Sequence, residues 1–119
     1  MSSQRPIVAV LTFDSRYAQR THGVRSLHTS SRQLIYSAPD TELDLRISVQ
    51  HEECLLAGQV IRDDCAGGTI EIWNQDASTE VNLNELCEFM FPAMPVGNYS
   101  LRARLPQIEI EIPKLELKD

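Results

Sequence analysis

The chain has 119 residues, of which 42% are hydrophobic, and its 11 Lys+Arg against 17 Asp+Glu give a formal net charge of −6 at pH 7. This length fits one domain, and the excess of acidic residues argues against nucleic-acid binding, which usually needs a basic face. No apolar run approaches the roughly 20 residues of a membrane span, and residues 1–6 lack the apolar stretch of a signal peptide, so we expect a cytoplasmic protein that does not contact membranes.

The first apolar segment runs from Ile7 to Phe13 and is typical of a strand covered on both faces. A second short strand is predicted from Gln33 to Tyr36. The polar loop between them is long for a small domain, and such loops are usually either functional or disordered. The charge is uneven along the chain, because residues 1–36 carry +4 and residues 37–119 carry −10. This asymmetry indicates either an interaction surface or attraction between the two parts.

The acidic part alternates between apolar and polar residues, with turn residues between the segments, and this is the pattern of half-buried strands. The predicted strands are Leu43–Val49, Leu55–Ile61, Thr69–Trp73, Thr79–Leu83, Leu86–Phe91, Tyr99–Leu105 and Ile108–Ile112. Their number and spacing predict an all-β sandwich or barrel. We expect one structural domain, in which residues 1–41 form an N-terminal strand and an arginine-rich loop packed on a core of residues 42–119.

The last two predicted strands carry alternating charges of opposite sign. If they pair about Pro106-Gln107, Arg104 faces Glu109 and Arg102 faces Glu111, and each pair stabilises the sheet by roughly 0.2–1 kcal/mol. Pro-Gln is a poor two-residue hairpin turn, however, so the chain could instead change sheets at this point.

Three cysteines are present, Cys54, Cys65 and Cys87, without a Cys-x-x-Cys pair. This odd number favours reduced thiols, with Cys54 and Cys87 as small buried apolar residues. His51 and Cys54 could supply two metal ligands, but no second pair at zinc-site spacing follows. We therefore expect no metal and no other cofactor.

Several strings of the acidic part resemble the carboxypeptidase regulatory-like domain: Gly58-Gln59-Val60, Leu86-Cys87-Glu88-Phe89-Met90-Phe91 and Pro95-Val96-Gly97-Asn98-Tyr99-Ser100-Leu101. The P-x-G-x-Y-x-L pattern of that family is met in full, whereas Cys87 stands where the family usually has glycine. The resemblance implies a seven- to eight-stranded Greek-key β-sandwich of transthyretin-like, immunoglobulin-like type, with the N-terminal strand added to one sheet.

The N-terminal strings Phe13-Asp14-Ser15-Arg16, Gly23-Val24-Arg25-Ser26 and Ser31-Arg32-Gln33-Leu34 are similar to those of small bacterial stand-alone proteins of this fold. Such proteins are encoded beside sigma factors, anti-sigma factors and caspase-like peptidases. The resemblance implies a non-enzymatic interaction module that regulates signalling or transcription, with one of those proteins as its partner.

The residues predicted to bind the partner lie in and around the arginine-rich loop: Arg16, Arg20, Arg25, Arg32, His22 and His28. Exposed guanidinium groups bind carboxylates bidentately, which suits an acidic partner. Alternatively, Arg16, Arg25 and Arg32 pair with acids of the sandwich such as Asp44 and fasten the N-terminal segment. A third interpretation is that a regulatory peptidase cleaves the loop.

Other functions and partners have less support. A hydrolase using His22, Ser26 and Asp14 lacks any motif context. Carbohydrate binding is disfavoured because Trp73 is the only tryptophan. The strand from Ile7 to Phe13 lacks charged residues that would protect a sheet edge, so a homodimer or a partner complex could form there by strand addition.

Overall fold

A computed structural model describes residues 5–17 and 30–118 of the chain. These residues form eleven strands and one 3₁₀ turn, Ser15–Tyr17, and they contain no α-helix. In chain order the strands are β1 (Ile7–Val8), β2 (Val10–Asp14), β3 (Ser30–Ala38), β4 (Thr41–Gln50), β5 (Glu53–Ile61), β6 (Thr69–Trp73), β7 (Ser78–Asn82), β8 (Glu88–Met90), β9 (Met94–Pro95), β10 (Gly97–Arg104) and β11 (Glu109–Leu117).

The strands form two sheets. Sheet I has the order β1-β11-β10-β6-β7, and sheet II has the order β2-β3-β4-β5-β8, with β9 also paired to β5. The chain leaves sheet I after β7, passes through β8 and β9 beside β5, and returns as β10 next to β6. This return to a non-consecutive neighbour is the Greek-key feature of the fold.

The alternating sequence pattern determines which side chains enter the core. On β4, Leu43, Leu45 and Ile47 are almost fully buried, while the residues between them face solvent. On the opposite sheet, Leu101 and Ile112 are buried in the same way. The two apolar inner faces therefore pack against each other, and the predicted all-β sandwich is confirmed.

Each strand predicted in the acidic part is present, although its ends differ by a few residues, and β6 has the predicted bounds. β9 was not predicted, and β3 is longer than the predicted segment Gln33–Tyr36. The predicted division after residue 41 falls just inside β4, whose pairing with β3 runs from Ser30↔Val49 to Ala38↔Thr41.

The strands on either side of Pro106-Gln107 do form a hairpin, in which the Leu105 amide donates to the Ile108 carbonyl at 2.9 Å. Both predicted cross-strand pairs are present, because Arg102 lies opposite Glu111 and Arg104 lies opposite Glu109. Their charged groups are 3.1 Å and 4.0 Å apart. The chain therefore stays in one sheet at this point.

Two contacts explain why particular residues stand in the Gly58 and Pro95–Tyr99 strings. A Cβ atom at Gly58 would lie 2.5 Å from Cζ of Phe89, so only glycine fits beneath that ring. The Tyr99 hydroxyl donates to the Pro95 carbonyl at 2.7 Å, which is the contact of a tyrosine corner. The Pro-x-Gly-x-Tyr string thus fixes the entry of the chain into β10.

The prediction of three reduced thiols is wrong, because Cys65 and Cys87 form a disulfide. Their Cα atoms are 6.1 Å apart, which suits a disulfide, although 22 positions separate them in the sequence. Cys87 has a φ of 61°, in the left-handed region that favours glycine. Cys54 is fully buried and takes no part in a disulfide.

Candidate protein-interaction edge

The N-terminal apolar segment is divided between the two sheets. β1 pairs in parallel with β11, and β2 pairs antiparallel with β3. Between them Ala9 is buried, and its amide donates to the Glu111 carbonyl at 3.0 Å. A small side chain at this position lets the chain cross from one sheet to the other. The prediction of one strand added to one sheet is therefore corrected to two strands, one at an edge of each sheet.

The expectation that this strand is covered on both faces is also wrong. Its large apolar side chains are 38–63% exposed to solvent, namely those of Ile7, Val8, Val10, Leu11 and Phe13. An edge strand has a neighbour on one side only, so its outer side chains and its outward backbone groups remain accessible. An apolar sequence run alone does not distinguish such an edge from a central strand.

A β-bulge lies within β2, because the register shifts between Leu11 and Phe13. At this point the Thr12 hydroxyl donates to the Ile35 carbonyl at 3.1 Å. A bulge is one device that protects an edge. Within residues 6–13 no charged side chain adds to this protection.

The outer face of sheet I differs in character, because its charged side chains bind one another. Arg104 contacts Glu71 at 3.2 Å and Glu80 at 3.4 Å, in addition to its pairing with Glu109. Charged side chains that already bind one another have few hydrogen-bonding groups left for a partner protein. Within the described ranges, the uncharged and exposed N-terminal edge is thus the surface best suited to a protein partner.

Arg32 belongs to the predicted set of binding residues, and it is buried with 7% exposure. Its guanidinium binds both carboxylate oxygens of Asp14, at 2.9 and 3.1 Å, and also donates to the backbone carbonyls of Glu116 and Lys118 at 3.3 Å. The hydrogen bond from Arg32 holds the pKa of Asp14 below its ordinary value. A docking role for Arg32 stays a prediction that would require this ion pair to open.

Arg16 lies next to the same cluster and is 30% exposed. Its guanidinium is 3.8 Å from Asp14 and 3.9 Å from Glu116, and its amide donates to Asp14 at 2.9 Å. Arg16 and Arg32 thus contact Asp14 and Glu116, whereas the predicted acid Asp44 has other neighbours. Asp44 instead accepts a hydrogen bond from Gln33 at 3.0 Å and lies 3.7 Å from Arg46.

The other predicted binding residues, Arg20, His22, Arg25 and His28, lie outside the described residues, as does Ser26. Their roles stay predictions. The acid of the hydrolase alternative, Asp14, is bound by Arg32 through both carboxylate oxygens. It could orient a histidine only after giving up part of this ion pair.

The two possible metal ligands do not converge. His51 lies exposed at the tip of the β4–β5 turn, whereas Cys54 is fully buried. Across residues 5–17 and 30–118, no group of three or more His, Cys, Asp or Glu side chains could hold a metal ion. In the same part of the chain, no helix is long and apolar enough to cross a membrane.

The disulfide removes the cysteine-based argument for a reducing compartment, and the cytoplasmic location stays a prediction. Comparisons of the chain with protein-family models, curated proteins and solved structures find no match.

Proposed function

We propose that the protein is a non-enzymatic interaction module that binds an extended segment of a partner protein by strand addition at the outer edge of β2, with which no second strand of residues 5–17 and 30–118 pairs besides β3. The observation that supports this is the row of uncharged, exposed apolar side chains on an edge strand, with Val10 63% exposed. Backbone groups on such an edge bind an added strand, and the outward side chains give the interface its apolar area.

The partner segment is expected to be extended and apolar at alternate positions, because the side chains of a strand alternate between two faces. Each copy of the chain carries a net charge of −6, so two copies repel each other at low ionic strength. This favours a different protein over a homodimer. The sequence resemblance adds the proposal that the partner is a sigma factor, an anti-sigma factor or a caspase-like peptidase.

Val10→Lys tests the proposal, because a charged side chain on the edge opposes the approach of another strand. Leu55→Lys is the matched control: Leu55 is 47% exposed on β5, a strand paired on both sides. Binding of the purified sigma-factor and peptidase candidates from the source genome is measured by calorimetry. We expect Val10→Lys to weaken binding about tenfold or more and Leu55→Lys to leave it unchanged.

Equal affinities of the two variants would contradict docking at β2. Sedimentation velocity of the chain alone then identifies the occupant of the edge. A dimer that Val10→Lys dissociates would show that a second copy occupies it, whereas a monomer agrees with the proposal.

A further inference from the structure

The strongest unassigned feature is a cleft of about 640 Å³ on the outer face of sheet I. It lies where β6 turns into β7, and the start of β10 and the middle of β11 form its other walls. This volume is within the range of about 300–1,000 Å³ that is usual for small-molecule sites. The cleft lies on the opposite sheet from β2, so it is independent of the proposed docking edge.

Two local structures give the cleft fixed walls. The Asn74 side-chain oxygen accepts hydrogen bonds from the amides of Asp76 and Ala77, at 2.8 and 2.9 Å, and so holds the β6–β7 turn. The register between β10 and β11 shifts at Ser100, whose hydroxyl donates to the Pro113 carbonyl at 2.8 Å. Bulges commonly reposition side chains beside binding sites.

The half-buried indole of Trp73 lines the cleft. Arg102 lies 5.5 Å from the centroid of its ring, and Arg102 is itself held by Glu111 at 3.1 Å. Arg102 lines a neighbouring cleft and not this one, whereas Trp73 lines both. An aromatic surface with a fixed orientation is therefore available to a ligand.

Four polar side chains around Trp73 are exposed to solvent and take no part in the contacts of the fold. Within residues 5–17 and 30–118, the side chains of Gln75, Asp76, Asn98 and Lys114 make no hydrogen bond or ion pair, although all four line the cleft. Elsewhere on this sheet face, the arginines and glutamates are paired with one another. Uncommitted donors and acceptors around an aromatic ring are the features that orient a bound ligand.

The charges of the cleft indicate the class of ligand. Asp76 and Lys114 are opposite in sign, so the site as a whole favours neither a phosphate nor a cation. Gln75 and Asn98 each offer both a donor and an acceptor, which is the pattern that hydroxyl groups satisfy. An aromatic ring adds a surface for an apolar ring face.

We propose that this cleft binds a neutral carbohydrate, with a sugar ring stacked on Trp73 and its hydroxyls bonded to Asp76, Asn98 and Lys114. The sequence disfavoured carbohydrate binding because it offers only one tryptophan. The sequence does not show that the β6–β7 turn, the register shift at Ser100 and the start of β10 place amide and charged side chains around Trp73.

Trp73 is the only tryptophan in the chain, so its fluorescence reports on this cleft and on the neighbouring one that Trp73 also lines, and the variants below separate the two. The full chain is titrated with cellotetraose, chitotetraose, maltotetraose and mannotetraose. We expect at least one of them to cause a saturable change in emission and to protect Trp73 from quenching by acrylamide. A response to none of the four overturns the proposal. So does a saturable response to inorganic phosphate alone, which would indicate an anion site.

Variants locate the binding within the cleft. Asn98→Ala removes one hydrogen-bonding group and is expected to weaken binding about tenfold. Asn82→Ala is the matched control, because Asn82 is exposed on the same sheet face but does not line the cleft. Amide chemical shifts of Gln75 and Asn98 in NMR spectra provide a readout without fluorescence. Equal affinities of the two variants, or unmoved side-chain amide signals, would refute the assignment.

The two proposals can fail separately. Val10→Lys changes the β2 edge and is expected to leave the response of Trp73 to saccharide intact, whereas Asn98→Ala is expected to leave partner binding intact.

Discussion

Arg32 binds Asp14 through two hydrogen bonds of 2.9 and 3.1 Å and so ties β3 to the end of β2. The same guanidinium reaches the carbonyls of Glu116 and Lys118 at the end of the chain. One side chain therefore connects the docking strand, its neighbour and the C-terminal strand of the other sheet.

Arg32→Met is predicted to destabilise the protein by about 1–3 kcal/mol, because Asp14 loses the two hydrogen bonds from Arg32 and keeps only the Arg16 amide and the more distant Arg16 guanidinium. The control is Arg46→Met, which removes an arginine that is 65% exposed and lies 3.7 Å from Asp44. Exposed ion pairs contribute about 0–1 kcal/mol, so this variant should unfold at almost the wild-type urea concentration. Similar urea midpoints for the two variants would show that the buried pair adds no stability.

The Asp14 pair also predicts a pH dependence. Arg32 lowers the pKa of Asp14 in the folded state below its ordinary value of 3.8. The stabilisation is therefore fully present above that value and is lost as the pH falls through the folded-state pKa. In thermal melts at decreasing pH, the stability difference between wild type and Asp14→Asn should shrink below about pH 4. A difference that stays constant to lower pH would contradict this linkage.

Removing the disulfide by Cys65→Ser and Cys87→Ser is predicted to cost about 3 kcal/mol, because the bond closes a loop between positions 22 residues apart. The double variant with Cys87→Gly should be about 0.5–1 kcal/mol more stable than the one with Cys87→Ser. Glycine accepts the left-handed φ of 61° without the steric cost of a side chain, and this gain exceeds its greater entropy loss. Denaturant unfolding of both variants measures the difference, and a less stable glycine variant would contradict this account.

The β4–β5 turn carries a similar backbone cost, since His51 and Glu52 have φ values of 55° and 64°. Glu52→Gly is predicted to raise stability by about 0.5–1 kcal/mol. Glu53→Gly, at the next position and within β5, should lower stability instead, because it loosens an ordinary strand residue. The melting temperatures of the two variants should move in opposite directions, and equal shifts would exclude the conformational explanation.

The alternation of apolar and polar residues predicted the strands of residues 42–119 well, because each of those strands buries one face and exposes the other. Thr69–Trp73 is an example, with Ile70 and Ile72 in the core. The N-terminal segment was mispredicted because a continuous apolar run suits a central strand as well as an exposed edge. Which of the two it forms depends on whether a further strand covers it.

The features that the sequence could not supply are contacts between residues far apart in the chain. Cys65 and Cys87 meet across a loop, and only their three-dimensional placement shows that they can bond. The cleft at Trp73 combines three separate segments of the chain. In contrast, the pairs Arg102–Glu111 and Arg104–Glu109 were predictable because a short hairpin joins their strands.

The parallel pairing of Ile7 with Ile110 has a consequence for synthesis on the ribosome. The chain emerges N-terminus first, so β1 cannot pair until β2 to β10 have been synthesised and β11 has emerged. Arg32 likewise cannot donate to the Lys118 carbonyl until residue 118 has been synthesised. Closure of sheet I at β1 therefore follows the emergence of β11, and β1 waits longer for its partner than β2, whose partner β3 is the next strand along the chain.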